Sequence, residues 1–232
     1  MKSYRLWAGV VALTGLALAA QGCAGEQETA GKSDAEMAVE AGGRELTEAP
    51  RNVGARPNRG PFRTFNVYTD GAAPDNHYVP SGWMGDYSDL ELNEKFTENP
   101  RSGSTSIQVV YSNEASQGAR WAGMYWQNPP NNWGSRPGGY DLTGAVKMTF
   151  WVRGEKGAER IEEFKIGGVT GEYADSDVAG IGPVVLTSEW KQYEINLEGK
   201  DLSSISGGFA WATNLDANPD GATFYLDDLR YE

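Results

Sequence analysis

The chain has 232 residues, 32 of them acidic and 20 basic, for a formal charge of −12, with one histidine and one cysteine. So acidic a surface opposes binding to phosphate backbones or anionic lipid headgroups, which argues against nucleic acid as a partner and against membrane contact through the folded surface. A lone His77 and a lone Cys23 rule out an internal disulfide and argue against a histidine-rich zinc site or a cysteine nucleophile, so stability must come from a hydrophobic core.

At the N-terminus Lys2 and Arg5 precede an apolar run from Leu6 to Ala20, followed by Gln21, Gly22 and Cys23. The run, roughly 15 residues, is short of the about 20 that span a bilayer, and polar sequence follows at once, so residues 1–22 are predicted to be a removable signal peptide. Ala20 and Gly22 before the cysteine resemble the lipobox of bacterial lipoproteins, with Ala20 where that motif usually has Leu. The resemblance implies export and lipidation of Cys23. Ala24, in place of an acid, implies the outer membrane, on its periplasmic or cell-surface side. A plain signal peptide would leave a lone thiol in an oxidising compartment with nothing to consume it. Residues 23–60 are Glu, Ala, Gly, Thr and Arg with almost no aromatic or β-branched side chains, and so are expected to form a disordered tether. A flexible chain of ~36 residues spans about 30 to 35 Å.

From Pro61 onward aromatic residues become dense, and glycine and proline punctuate the chain at short intervals without helical periodicity, an all-β pattern. Strands are predicted at Thr64–Thr69, Ser88–Phe96, Thr105–Tyr111, Arg120–Trp126, Val146–Arg153, Ile161–Gly167, Gly182–Leu186, Trp190–Leu197, Gly207–Thr213 and Ala222–Tyr231. Short strands with long loops and no internal repeat suit a two-sheet antiparallel β-sandwich of jelly-roll type over residues 61–232, expected to act as a monomer. Alternation assigns Met148, Phe150 and Val152 to the core, with Phe164, Ile166, Tyr193, Ile195 and Leu197.

Three places combine large aromatics with hydrogen-bonding groups, the mixture that suits a sugar, whose C–H face lies on an indole while its hydroxyls need planar partners. The first is the outward face of two strands, with Thr149, Trp151 and Arg153 on one and Trp190, Gln192 and Glu194 on the other. The second is the segment from Arg120 to Tyr140, RWAGMYWQNPPNNWGSRPGGY, with three Trp, two Tyr, four amide side chains and two Arg in 21 residues. Within it Trp121, Tyr125, Trp126 and Trp133 are candidate platforms, and Gln127, Asn131, Asn132 and Arg136 candidate polar contacts. The third runs from Asp75 to Asp86 and holds His77 and Trp83; it reads as an irregular loop. Each has a structural alternative in which the aromatics are buried beneath loops.

The stretches FYLDDLRYE, SGSTSIQVVY and LTGAVKMTFWVRG, in that fold context and together spanning about Phe65 to Glu232, resemble the galactose-binding-like jelly rolls that include carbohydrate-binding modules related to families 4, 11 and 22. The likeness implies non-catalytic binding of a polysaccharide or other glycan. It also implies a structural calcium ion held by Asp70, by Ser102 and Ser104 of the loop before an early strand, and by Asp227 of the last strand, although relatives often have Glu where Asp70 stands. The structural alternative for Asp227 and Asp228 is a solvated strand end. Two further readings stay open. A hydrolase or lyase would need a facing carboxylate pair, for which Asp89, Glu91 and Glu94 or Glu172, Asp175 and Asp177 are candidates; an adhesive lipoprotein would bind a protein partner.

Overall fold

The computed structural model describes residues 60–232; the predicted signal peptide, Cys23 and the predicted tether up to residue 59 lie outside the described residues. Alternation of apolar and polar residues sets the strands. In β6 (Lys147–Gly154), Met148, Phe150 and Val152 are buried on one side while Thr149, Trp151 and Arg153 take the other. The remaining strands are β1 (Phe65–Tyr68), β2 (Val79–Gly85), β3 (Leu90–Phe96), β4 (Ser106–Tyr111), β5 (Trp121–Gln127), β7 (Arg160–Ile161), β8 (Glu163–Gly167), β9 (Val178–Ile181), β10 (Val184–Val185), β11 (Lys191–Asn196), β12 (Gly207–Asn214) and β13 (Ala222–Tyr231).

These strands form two antiparallel sheets. A six-stranded sheet runs β11-β6-β13-β4-β3 with β1 also on β13, and a five-stranded sheet runs β2-β5-β12-β8-β9; β7 and β10 make a short ribbon. Their inner faces interlock through aromatic rings. Phe150 of the six-stranded sheet lies 4.8 Å from Phe164 and 5.1 Å from Phe209 of the other, and Trp211 meets Phe224 edge-on at 5.0 Å. Such pairs add about 0.5–1.5 kcal/mol each to the burial of their area. This is the sandwich that the alternation predicts, with the expected core residues inside it except Tyr193, which is partly buried and packs against the core from its margin.

The last strand carries the one irregularity that matters for the loops. β4 pairs with Ala222–Leu226 of β13 and β1 with its far end, from Leu229 to Tyr231. Between these two partners the ladder to β6 also slips, after Asp227, and Asp228 takes a left-handed φ of 50°. A bulge here bends β13 and leaves its edge unpaired at the junction. The loop at residues 97–105 enters that gap.

Two predicted boundaries are corrected. Val79–Gly85, read as part of an irregular loop, is an edge strand paired with β5. Its Pro80, Gly82 and Gly85 hide the alternation, and a register shift between Pro80 and Gly82 absorbs the proline, as edges allow. The predicted strand at Gly182–Leu186 keeps only Val184–Val185, and the preceding Val178–Ile181 pairs with β8 instead.

Trp126 tests the core. Its side chain is fully buried and packs against Phe209, so Trp126→Ala should cost about 3–5 kcal/mol in urea unfolding at unchanged m-value.

Candidate functional site on the outer face of the five-stranded sheet

In β5 the residues Ala122, Met124 and Trp126 face the core, which sends Trp121, Gly123, Tyr125 and Gln127 outward. Cross-strand register then fixes the rest of that face. One row reads Gly82, Tyr125, Ala210, Lys165 and Gly180 across the five strands, and the next reads Met84, Gly123, Ala212 and Glu163. Glycine and alanine thus make a low floor beneath Tyr125, Lys165 and Met84. The close approach is real at Gly123, where a Cβ would lie 2.8 Å from the Met84 methyl and 2.6 Å from the Trp211 carbonyl oxygen.

An exposed indole stands at each end of β5. Trp121, 40% exposed, lies against Gly85. Gly85 has a φ of +64°, and a Cβ there would sit 2.1 Å from the Trp121 carbonyl oxygen, so only glycine lets the turn close on this ring. Trp133, 45% exposed, stands edge-on to Tyr125 with ring centroids 5.7 Å apart. From Trp121 to Tyr125 is four residues of strand, about 14 Å. Lys165 bridges the middle, its Nζ 3.1 Å from Glu163 and 5.4 Å from the Tyr125 ring centroid.

The loop bearing Trp133 is rigid because its polar residues hold one another. Gln127 accepts the Ser81 hydroxyl at Oε1 and donates from Nε2 to the Asn132 carbonyl. Asn132 donates to the Arg136 carbonyl and accepts the Gly134 N–H, while the Asn131 N–H donates to Ser81. Gln127 and Asn132 are fully buried, and Tyr125, expected as a platform, is 3% exposed with its hydroxyl donating to the Gly167 carbonyl. The first two therefore position the loop, Tyr125 supports Trp133 from beneath, and none of the three is a contact for a ligand. Trp126, expected as a platform, is core. Asn131, Trp133 and Arg136 remain on the surface, with the Arg136 guanidinium donating to the Pro130 carbonyl at 2.6 Å. Trp83, 41% exposed on the edge strand β2, is in register with the core residue Met124 and so lies on the side of the sheet opposite the floor.

The outward face of the six-stranded sheet is occupied by the protein itself. The Arg101 guanidinium lies 4.0 Å over the Trp151 ring, and Arg153 lies 3.7 Å from the Tyr225 ring and 5.4 Å from that of Trp190. The Trp190 indole N–H donates to the Asn99 carbonyl. Trp151 therefore already has a stacking partner. His77 is likewise engaged, stacked 3.9 Å from Phe65.

Acidic residues singled out in the sequence serve as brackets. Asp89 accepts the main-chain N–H and hydroxyl of Ser116. Asp175 accepts N–H groups from Val169, Ser206 and Gly207, and burial raises its pKa despite them. Asp70, Ser102, Ser104 and Asp227 do meet around the 97–105 loop, but they meet as donors and acceptors. Asp227 takes N–H bonds from Arg101, Ser102 and Asp228, and a single oxygen of Asp70 takes the N–H and hydroxyl of both Ser104 and Thr105. A calcium cage requires about six to eight converging oxygens. The N–H groups aimed at these carboxylates do not fit one.

Sequence reasoning missed Met84, Glu163, Lys165 and the glycine and alanine floor. Small residues carry no chemical signal, and their shared face is defined only by the register of strands distant in sequence. Tyr173, also exposed, is brought to the Trp133 loop by its N–H bond to the Gly134 carbonyl.

No family model matches the chain, and no curated protein does. Solved structures do. A family 30 carbohydrate-binding module superposes with a TM-score of 0.50 at 14% identity, over 73% of this chain and 87% of that one. The family 30 module of a cellulosomal cellulase of Clostridium thermocellum gives 0.48 at 16% identity, over 73% and 97%, and a family 11 module of another cellulosomal cellulase from that organism gives 0.44 at 14%, over 71% and 92%. The first of these establishes the fold, a jelly roll of the kind carbohydrate-binding modules adopt.

Asp86 sets the turn that delivers Trp121. Its carboxylate accepts N–H groups of Gln117, Ala119 and Arg120, and its own N–H donates to the Trp121 carbonyl. Burial raises its pKa, but the bonds from Ala119, Arg120 and Gln117 outweigh that and hold it below the ordinary value. A depressed native pKa means stability that is present above the unfolded value of 3.8 and lost as pH falls through the native one. The Asp86 carboxyl resonance should therefore titrate below the usual range, and in Asp86→Ala the amides of Gln117, Ala119 and Arg120 should lose exchange protection at neutral pH.

Proposed function

We propose that the domain binds carbohydrate without catalysing a reaction, and that the glycan lies on the outer face of the five-stranded sheet along β5. The observation that carries this reading is the pair of exposed indoles, Trp121 and Trp133, at the two ends of a floor built from Gly82, Gly123, Ala210, Ala212 and Gly180. A sugar chain presents alternating C–H faces and hydroxyl rims; the exposed indoles of Trp121 and Trp133 suit the first, Lys165 and Glu163 the second. A floor without large side chains lets a chain of sugars lie close to the backbone. The fold shared with carbohydrate-binding modules supports the same reading.

Non-catalytic action is supported by the use made of the acidic residues. Asp89 and Asp175 are committed to main-chain groups, and Glu163 to Lys165, whereas glycoside hydrolysis needs two carboxyl groups facing each other across the bound sugar. We further propose that a lipid on Cys23 anchors the chain at the outer membrane, with residues 23–60 as the tether, so that the domain captures glycan at the envelope.

Affinity electrophoresis of the folded protein through glucans, xylans and galactans tests the binding reading. Retardation by one of them should fall roughly 10- to 30-fold in apparent affinity in Trp121→Ala and in Trp133→Ala and be unchanged in Trp151→Ala. If no glycan retards a folded sample, the surface serves a protein partner instead. For the anchor, Cys23→Ser should shift the protein from the membrane fraction to the soluble fraction; persistence in the membrane would refute lipidation.

A further inference from the structure

We infer that the loop at residues 97–105 is locked into the gap between β4 and β1 by main-chain hydrogen bonds to Asp227 and Asp70, with no metal ion, so that this domain keeps its loop independently of calcium. The resemblance to calcium-bearing jelly rolls implies the opposite. The inference does not depend on what the outer face of the other sheet binds.

Where β13 passes from β4 to β1, Asp227 stands at the bulge with its side chain fully buried. In place of a neighbouring strand it meets the N–H groups of Arg101 at 2.9 Å and Ser102 at 3.2 Å on one carboxylate oxygen, and that of Asp228 at 2.8 Å on the other. Asp70 closes the other end of the loop. Its Oδ1 accepts the N–H groups of Ser104 and Thr105, both at 2.8 Å, and their hydroxyls, both at 3.1 Å. Gly103 lies between, at a φ of +59°, with room for no Cβ beside the Asp70 carboxylate.

Three oxygens around the loop already accept bonds from the protein itself. The Asn99 carbonyl accepts the Trp190 indole N–H, the Glu94 carbonyl accepts the Tyr68 hydroxyl, and the Thr105 hydroxyl oxygen accepts the Gly71 N–H. Main-chain N–H dipoles present their positive ends to both carboxylates, the side a cation would take; at Asp227 burial outweighs these bonds and pushes the pKa up to about 7. The loop adds a full positive charge of its own. Arg101, whose N–H binds Asp227, lays its guanidinium over Trp151, and Trp151 is the β6 residue directly opposite Asp227. Among the described residues no three His, Cys, Asp or Glu side chains converge to hold a metal.

The test is thermal unfolding and amide exchange of the full-length chain in millimolar calcium and in EDTA. We expect the same melting temperature in both, and equal protection of the Arg101, Ser102, Ser104 and Thr105 amides. A melting temperature that rises with calcium, by roughly 5 to 10 °C at about 100 times its dissociation constant, or protection of those amides only when calcium is present, would overturn the inference. In Asp227→Ala the Arg101 and Ser102 amides should lose protection equally in both conditions; if that variant fails to fold, the wild-type comparison decides alone.

Discussion

A main-chain N–H buried without a partner costs about 1–3 kcal/mol, and the long loops of a two-sheet sandwich leave many such groups outside any ladder. This chain meets the problem with aspartates. Asp70 and Asp227 take the N–H groups of Arg101, Ser102, Ser104 and Thr105, Asp86 and Asp89 those of Ser116, Gln117, Ala119 and Arg120, and Asp175 those at Val169, Ser206 and Gly207. A carboxylate accepts several donors at once and is worth more per bond than a neutral acceptor. Without a disulfide in the folded part, these brackets hold the loops to the aromatic core.

That device explains why acidic residues are a poor guide to chemistry here. The runs at Asp89 and Asp175 resemble the makings of a catalytic pair or a metal site when read along the chain. In the fold Asp89 and Asp175 accept main-chain N–H groups, and Asp89 the Ser116 hydroxyl as well. The excess of acid over base is thus partly structural, and only the remainder sets the field that an approaching ligand meets.

The strands were legible in the sequence wherever side-chain alternation was strong, as at Met148, Phe150 and Val152, or at Phe164 and Ile166. β2 was not, because its pairing with β5 overrides a sequence of Pro80, Gly82 and Gly85 that reads as a loop on its own. The density of aromatics between Arg120 and Tyr140 marks the segment that supplies Trp121 and Trp133 to the proposed site but does not sort it. Within β5 a shift of one residue moves a side chain from surface to core. Trp121 and Tyr125 lie on one face and Trp126 on the other, and only the register of β5 with β2 and β12 says which is which. Trp133 escapes the core because its loop turns back on Ser81, Gln127 and Asn132, a set of bonds between residues up to 50 positions apart.

The two outer faces differ for a reason rooted in the bulge of β13. Because that strand changes partner at Asp227, the six-stranded sheet admits a loop, and the loop brings Arg101 onto Trp151 and the Asn99 carbonyl onto Trp190. Its aromatics are thereby satisfied from within the chain. β12, at the centre of the five-stranded sheet, has no such interruption beyond its first residues, and the small side chains of its middle strands leave the surface low. Aromatic content is similar on both sides; what separates an open platform from a closed one is whether a neighbouring loop is anchored to cover it, and here the anchor is Asp227.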